Sequence, residues 1–197
     1  VCDLGTGTGI IPLLLYAREN TISADAVEIQ PDMADMAARS MAMNGLNEKI
    51  RVLPGDLRSI RTLLPHARYD LVTCNPPYGK AGGTLLNPDA SKRLARHEES
   101  CAIEDVACAA AWLLQNGGRL CCVFPAARMI ELSDAMRKYR MAPKRIRMVH
   151  SRVEKAAHLC LMEGMLDARP GLIIEPPLVI YDENNAYTPE LRRIYGL

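Results

Sequence analysis

Asn75-Pro76-Pro77-Tyr78 directly follows the apolar run Tyr69-Asp70-Leu71-Val72-Thr73-Cys74. The Asn75 side-chain oxygen and the Pro76 carbonyl are two neutral hydrogen-bond acceptors within one short segment. The consecutive prolines, Pro76 and Pro77, fix two φ angles and bias the residues before them away from helix, so the carbonyl is held in place before any partner arrives. Such a pair suits a planar, conjugated amine, whose nitrogen lone pair is delocalised into its ring and is a poor nucleophile. Accepting its N–H groups favours tetrahedral nitrogen and aims the lone pair outward. Tyr78 can stack on the flat target. The chemistry that fits is methylation of that nitrogen by a sulfonium donor. Alignment in a partly dehydrated site then matters more than a strong base, because the proton can leave after the methyl has moved.

A second signal opens the chain, in Asp3-Leu4-Gly5-Thr6-Gly7-Thr8-Gly9-Ile10. Glycines that leave a strand and enter a helix let backbone amides face a ligand at close range. A dinucleotide fingerprint needs glycine at position 10, which is Ile10 here. The spacing D-x-G-x-G-x-G instead resembles the first element of class I S-adenosylmethionine methyltransferases. That resemblance implies S-adenosyl-L-methionine as cofactor, with its methionine end over Gly5, Thr6, Gly7 and Gly9 and with Asp3 beside them. Glu28 stands 19 positions beyond Gly9, near the spacing of about 20 expected of a ribose-binding carboxylate, and its two oxygens can hold two ribose hydroxyls. Gly55-Asp56-Leu57 follows the third strand. By the same resemblance Asp56 accepts from the adenine amino group, Ile29 and Leu57 touch the ring, and Asn75 borders the donor as well as the target.

These residues need a frame to hold them. The sequence reads as strand 1–4, helix 9–19, strand 24–29, helix 31–44, strand 50–53, a short helix near 57–64, strand 69–74 and a long loop to about 91. Helix 99–115, strand 118–124, helix 128–140, strands 144–150 and 158–166, and a tail follow. Alternation of this kind predicts an α/β, Rossmann-like class I methyltransferase fold: a mostly parallel twisted sheet, helices on both faces, an antiparallel last strand, and ligands at the carboxyl ends of the strands. Pro31 suits a first helical position, Asn44-Gly45 closes that helix, and Asn116-Gly117-Gly118 is expected to part helix from strand. One methyltransferase domain is expected over 1–197, with 170–197 as a tail packed on it. The first strand is short, so an N-terminal segment that would cover the cofactor is expected to be missing.

The 197 residues are 49% hydrophobic and 24% charged with net charge +1, an ordinary globular balance that neither demands nor excludes a nucleic-acid partner. Charge is uneven, however: between 128 and 155 nine bases face three acids, a local excess of +6 that could mark phosphate contacts or merely a solvated edge. Seven cysteines without a C-x-x-C pair argue against a disulfide framework or a zinc site and fit a reducing cytoplasm; no metal is expected. No apolar run approaches a membrane span.

Leu94-Ala95-Arg96-His97-Glu98, Ala142-Pro143-Lys144-Arg145-Ile146, and the tail Tyr181-Asp182-Glu183-Asn184-Asn185-Ala186-Tyr187-Thr188 running to Leu191-Arg192-Arg193-Ile194-Tyr195-Gly196 closely resemble the bacterial tRNA(Val) adenine-N6-methyltransferase family. The resemblance spans essentially the whole chain. It implies methylation of the adenosine directly 3′ of the anticodon, with the tRNA anticodon loop as partner. A loop base can be splayed into a pocket without first breaking a duplex pair. His97 could touch substrate or cap the next helix, and the loop 79–93 could close over the site. NPPY also serves enzymes that methylate a protein glutamine amide, and a catalytically silent RNA-binding relative is a third reading.

Overall fold

The computed structural model describes residues 1–76 and 103–197. Along them run β1 (Cys2–Leu4), α1 (Ile10–Arg18), β2 (Ala24–Glu28), α2 (Pro31–Met43), β3 (Ile50–Pro54), a 3₁₀ turn (Leu57–Ser59) leading into α3 (Ile60–Leu63), and β4 (Tyr69–Cys74). After residue 103 come α4 (Ile103–Leu113), β5 (Leu114–Pro125), a 3₁₀ turn (Ala126–Arg128), α5 (Met129–Lys138), β6 (Met141–His150) and β7 (Leu159–Leu166). The tail supplies β8 (Ile173–Ile174), β9 (Leu178–Val179) and α6 (Pro189–Tyr195). The strands form one sheet in the order β3-β2-β1-β4-β5-β7-β6-β8, with β9 on β6 farther along. Every pairing is parallel except those of β7, which runs antiparallel to both β5 and β6. The carboxyl ends of β1 to β6 therefore open on one edge. Strand order reverses between β1 and β4, which makes the crevice where such sheets bind ligands.

Local chemistry explains most element ends. Pro31 sits in the first turn of α2, where its missing N–H is no loss, and the helix stops at Asn44 before Gly45, whose φ is +68°. β1 is buried along its whole length, as a central strand covered on both faces must be. One face carries α1 and α2, with Leu13, Tyr16 and Met41 packed against Ala24, Ala26, Ile50 and Val52. The opposite face carries α3, α4 and α5 over Leu4, Val72, Leu120 and Cys122 in the larger core. Of the α2 methionines, Met41 is core, whereas Met36 and Met43 are exposed.

Two boundaries differ from the sequence pattern. Asn116-Gly117-Gly118 does not part α4 from β5; the strand begins at Leu114, and Gly117 adopts φ +77° inside it. Leu114 is buried and pairs with Tyr69, and the register shift between Tyr69 and Leu71 absorbs the irregular stretch. β6 likewise starts at Met141, ahead of Pro143. A register shift between Pro143 and Arg145 accommodates the ring that cannot donate to the ladder. The expected antiparallel strand is β7, held between β5 and β6, and the tail then adds two short strands parallel to β6. Helix 99–115 is described only from Ile103.

Gly9 has φ +82°, and a Cβ there would lie 2.6 Å from Met41 Cε and 3.3 Å from Ala37 Cβ. Met41 Cε ends a flexible side chain and can swing aside, but buried Ala37 cannot, and a side chain at this φ is strained whatever the space. Gly9→Ala is expected to lower unfolding free energy by about 1–3 kcal/mol and the thermal midpoint by several degrees, as read by denaturant and heat melts.

Candidate active site

The turn after β1 is built around the end of β2. Gly5 and Thr6 both donate their N–H groups to the Val27 carbonyl, at 2.9 and 3.0 Å. Gly7 donates to Glu28 Oε2 at 2.8 Å, and Gln30 donates to Glu28 Oε1 at 2.9 Å. The Glu28 carbonyl in turn accepts the Gly55 N–H at 2.9 Å. One buried residue thus joins the loops after β1, β2 and β3. Gly5, Gly7 and Gly9 all have positive φ, and a Cβ on Gly5 would meet nothing within 4 Å. At Gly5 the turn is therefore open on its outer side, as close approach of a ligand to its backbone requires.

Beneath the turn, Asp3 and Thr73 pair across β1 and β4, and Thr73 Oγ1 donates to Asp3 Oδ1 at 2.5 Å. Burial pushes the Asp3 carboxyl up to about 6; the nearby Thr6 and Thr73 hydroxyls pull it down, and Glu28 adds a smaller upward push. Asp3 Oδ2 and Thr6 Oγ1 are buried and lack hydrogen-bond geometry to any described group. Buried polar atoms normally have partners, so two orphans under an open glycine turn mark a place that a polar ligand would complete. A carboxylate there suits a ligand ammonium, and the absence of a side chain at Gly5 leaves room above it for the rest of the ligand. Thr73 carries no motif signal. Its only trace in the sequence is a hydroxyl in an otherwise apolar part of β4, register-paired with Asp3.

The remaining candidates line the same edge. Ile29 is 41% exposed beside buried Glu28, leaving an apolar surface at the end of β2. Asp56 stands after β3, but its carboxylate is engaged: Oδ1 accepts the Arg58 N–H at 2.9 Å and Oδ2 accepts Arg58 Nε at 2.8 Å. That bonding holds the Asp56 carboxyl below its usual range, against a smaller effect of burial. Leu57, half-buried, starts the turn that Asp56 caps. Leu4 pairs with Cys74, so Asn75 leaves β4 beside Gly5; Asn75 is exposed and Pro76 buried. Pro77, Tyr78, the loop 79–93 and His97 lie outside the described residues.

A mostly apolar hollow of about 440 Å³ adjoins this edge, between Ile11 and a sheet surface that includes Thr73, Cys74, Cys121, Val123 and Leu161. It lies on the sheet face and includes none of the glycine turn, Glu28 or Asp56. Five of the nine bases in the basic stretch are paired with acids, four of them with acids from outside it. Arg128 pairs with Glu131, Lys138 with Glu104, Arg140 with Asp167, Arg145 with Glu163 and Glu175, and Arg147 with Glu190. Lys144 and Arg152 donate to the carbonyls of Arg169 and Asp182. Among the described residues, no group of histidine, cysteine and acidic side chains could hold a metal, and no helix is long and apolar enough to cross a membrane. The described cysteines are free thiols.

Two variants test this construction. A carboxyl whose folded pKa is raised binds its proton more tightly when folded, so stability falls as pH rises from about 3.8 to about 6 and stays lowered above that. Asp3→Asn is therefore expected to stabilise the protein above pH 6 by on the order of 1–3 kcal/mol, to flatten that part of the pH–stability curve, and to weaken S-adenosylmethionine binding in calorimetry. Unchanged donor affinity would remove the donor from this carboxylate. Glu28→Gln sets an amide NH2 against one of two backbone N–H groups, and should destabilise by about 1–3 kcal/mol in denaturant melts.

The sequence profile of the methyltransferase small domain family matches residues 1–145. The tRNA1(Val) (adenine(37)-N6)-methyltransferase of Porphyromonas gingivalis is 31% identical over 98% of this chain and 76% of its own length. The enzyme of the same name from Tolumonas auensis is 34% identical over 96% of this chain and 77% of its own. Among solved structures, one described as a predicted O-methyltransferase from Agrobacterium tumefaciens superposes with a TM-score of 0.81 at 22% identity, covering 99% of this chain and 87% of that one. TrmN from Thermus thermophilus has a TM-score of 0.60 at 23% identity, over 85% of this chain and 43% of that one. These structural likenesses establish the Rossmann-like methyltransferase fold. The chain belongs to the methyltransferase small domain family and, with these relatives, to the tRNA1(Val) (adenine(37)-N6)-methyltransferase family.

Proposed function

We propose that this protein transfers a methyl group from S-adenosyl-L-methionine to N6 of an adenosine in a tRNA anticodon loop, directly 3′ of the anticodon in a tRNA of the valine type. The observation that carries the reading is the position of Asn75: exposed at the carboxyl end of β4, beside Gly5 and two residues beyond the Asp3–Thr73 pair. The names of the relatives supply the tRNA and the nucleoside.

In this reading the donor supplies an electrophilic methyl on a cationic sulfur. Asp3 Oδ2 and Thr6 Oγ1 hold its amino-acid end, which lies over the turn of Gly5, Gly7 and Gly9, while Glu28 presents its remaining lone pairs to ribose hydroxyls. Each carboxylate oxygen has two acceptor directions, so the bonds from Gly7 and Gln30 leave capacity for a hydroxyl. Ile29 and Leu57 offer apolar surface to the adenine. Asp56 is bound by Arg58, so contact with the adenine amino group would use an outward lone pair rather than a free carboxylate. Asn75 Oδ1 and the Pro76 carbonyl accept the N–H groups of the target amine, and Tyr78 stacks on its ring. No residue takes the proton before transfer; it leaves to water from the alkylated nitrogen.

The test compares tRNA nucleosides by mass spectrometry from cells with and without the gene. Loss of N6-methyladenosine on deletion, restored by wild type but not by Asn75→Ala, is the expected result, with the purified variant slowed roughly 100-fold or more. Unchanged N6-methyladenosine would overturn the substrate, and absence of donor binding in calorimetry would favour a silent scaffold.

A further inference from the structure

The tail carries three tyrosines that the proposed chemistry does not use. Tyr181 and Tyr187 face each other across a small hairpin, with ring centroids 5.5 Å apart and planes 25° from parallel. Tyr187 and Tyr195 continue the stack at 5.8 Å and 24°. The three residues remain exposed, at 37%, 39% and 64% respectively. They are not what holds the tail in place. Leu191 is buried with Val149 and Leu178, Thr188 Oγ1 donates to the Val179 carbonyl at 2.7 Å, and Arg152 donates to the Asp182 carbonyl and to Asn185. A stack serving only to dock the tail would be covered by what it docks against.

Its position relates it to the site. β6 runs in the same direction as β4, so Ser151 leaves the sheet on the edge from which Asn75 leaves, three strand positions away in the order β4-β5-β7-β6. Tyr181 hangs from that point, its N–H donating to the Ser151 carbonyl at 2.9 Å. Arg192 lies three residues before Tyr195 on α6, hence on the neighbouring face, and is exposed with no ion pair among the described residues. Most bases of 128–155 are by contrast occupied by acids. Near-parallel π faces beside an available guanidinium match unpaired nucleobases, which stack on aromatic rings whatever their sequence.

We propose that Tyr181, Tyr187 and Tyr195, with Arg192 beside them, form a stacking platform for unpaired bases of the RNA outside the reacting nucleotide. This rests on the tRNA reading above. It makes the tail a second point of grip on the same loop, one in which stacking contributes more than phosphate contact because Glu154 and Glu183 line the adjoining hollow.

The experiment uses the full-length protein, with transcribed tRNA(Val) and a fully paired RNA duplex as probes. Tyr195→Ala should weaken tRNA binding about ten-fold in fluorescence anisotropy, while Tyr195→Phe binds as wild type and the affinity for S-adenosylmethionine is unchanged in both. Tyr195→Trp places an indole in the stack, and its emission should be quenched by tRNA but not by the duplex. Wild-type affinity in the alanine variant, or equal quenching by both RNAs, overturns the platform and leaves the methylation reading intact. If the wild type methylates no tRNA adenine yet Tyr195→Ala still loses affinity for tRNA(Val) and not for the duplex, the methylation reading fails and the platform stands. If Tyr195→Ala also melts several degrees lower, the quenching difference decides.

Discussion

The carboxylate of Glu28 is the joint on which the functional edge depends. Its two oxygens hold Gly7 and Gln30, and its carbonyl holds Gly55. Loops after three adjacent strands would otherwise have independent conformations, and each would have to be ordered at the moment of binding. Tying them through one buried residue moves that ordering into folding. The glycines then need only be permissive, because their left-handed conformations are imposed by Val27 and Glu28 acting from β2. The ribose contact expected of Glu28 and its architectural work are not alternatives. A carboxylate with both oxygens braced by backbone N–H groups points its remaining lone pairs in fixed directions.

Asp3 shows the opposite arrangement, a buried acid whose second oxygen has no described partner. Keeping it works against stability at neutral pH, since burial favours the protonated form and the pKa lies near 6. An amide would pack in the same volume without that penalty. Buried charge retained against such a gradient usually serves a ligand rather than the fold. Thr73 is then intelligible as the group that fixes one oxygen and leaves the other to be met.

The order of strands and helices was legible because hydrophobic runs and helix punctuation coincide: Pro31 and Asn44-Gly45 bracket α2, and Tyr69 to Cys74 form β4 as a half-alternating, half-apolar run. What the pattern could not carry was tertiary. Leu114 joins β5 because it fills a buried place beside Tyr69, which outweighs the turn chemistry of Asn116-Gly117-Gly118. The candidate site was legible as residue types at spacings: Asp3, the glycines, Glu28 and Asn75 do line one edge. Its bonding was not legible. Neither the engagement of Asp56 by Arg58 nor the Asp3–Thr73 pair follows from one-dimensional order, since the first depends on the turn after β3 and the second on parallel register across a distance of 70 residues. The tail looked like a family signature only; its strands β8 and β9 are too short to show any period.

The charge count along 128–155 left a phosphate footprint and a solvated edge both open, and the ion pairs of the fold narrow how RNA can be held. The excess of +6 counted along 128–155 dissolves once Glu104, Glu163, Asp167, Glu175 and Glu190 are folded against it. Strands β6 and β7 and the tail are thereby knitted by ion pairs, most of them exposed and each worth little alone. Guanidinium groups engaged in this way are poor initial phosphate ligands, because contact with RNA must first compete with a carboxylate already in place. Among the described residues, the tail on the same edge adds open aromatic faces with the Arg192 guanidinium beside them. Recognition by stacking is tolerant of sequence but demands unpaired bases, so it selects loops over helices before any base is read. An enzyme that must reach one exocyclic amine in a splayed loop needs that selection more than it needs a strongly basic surface.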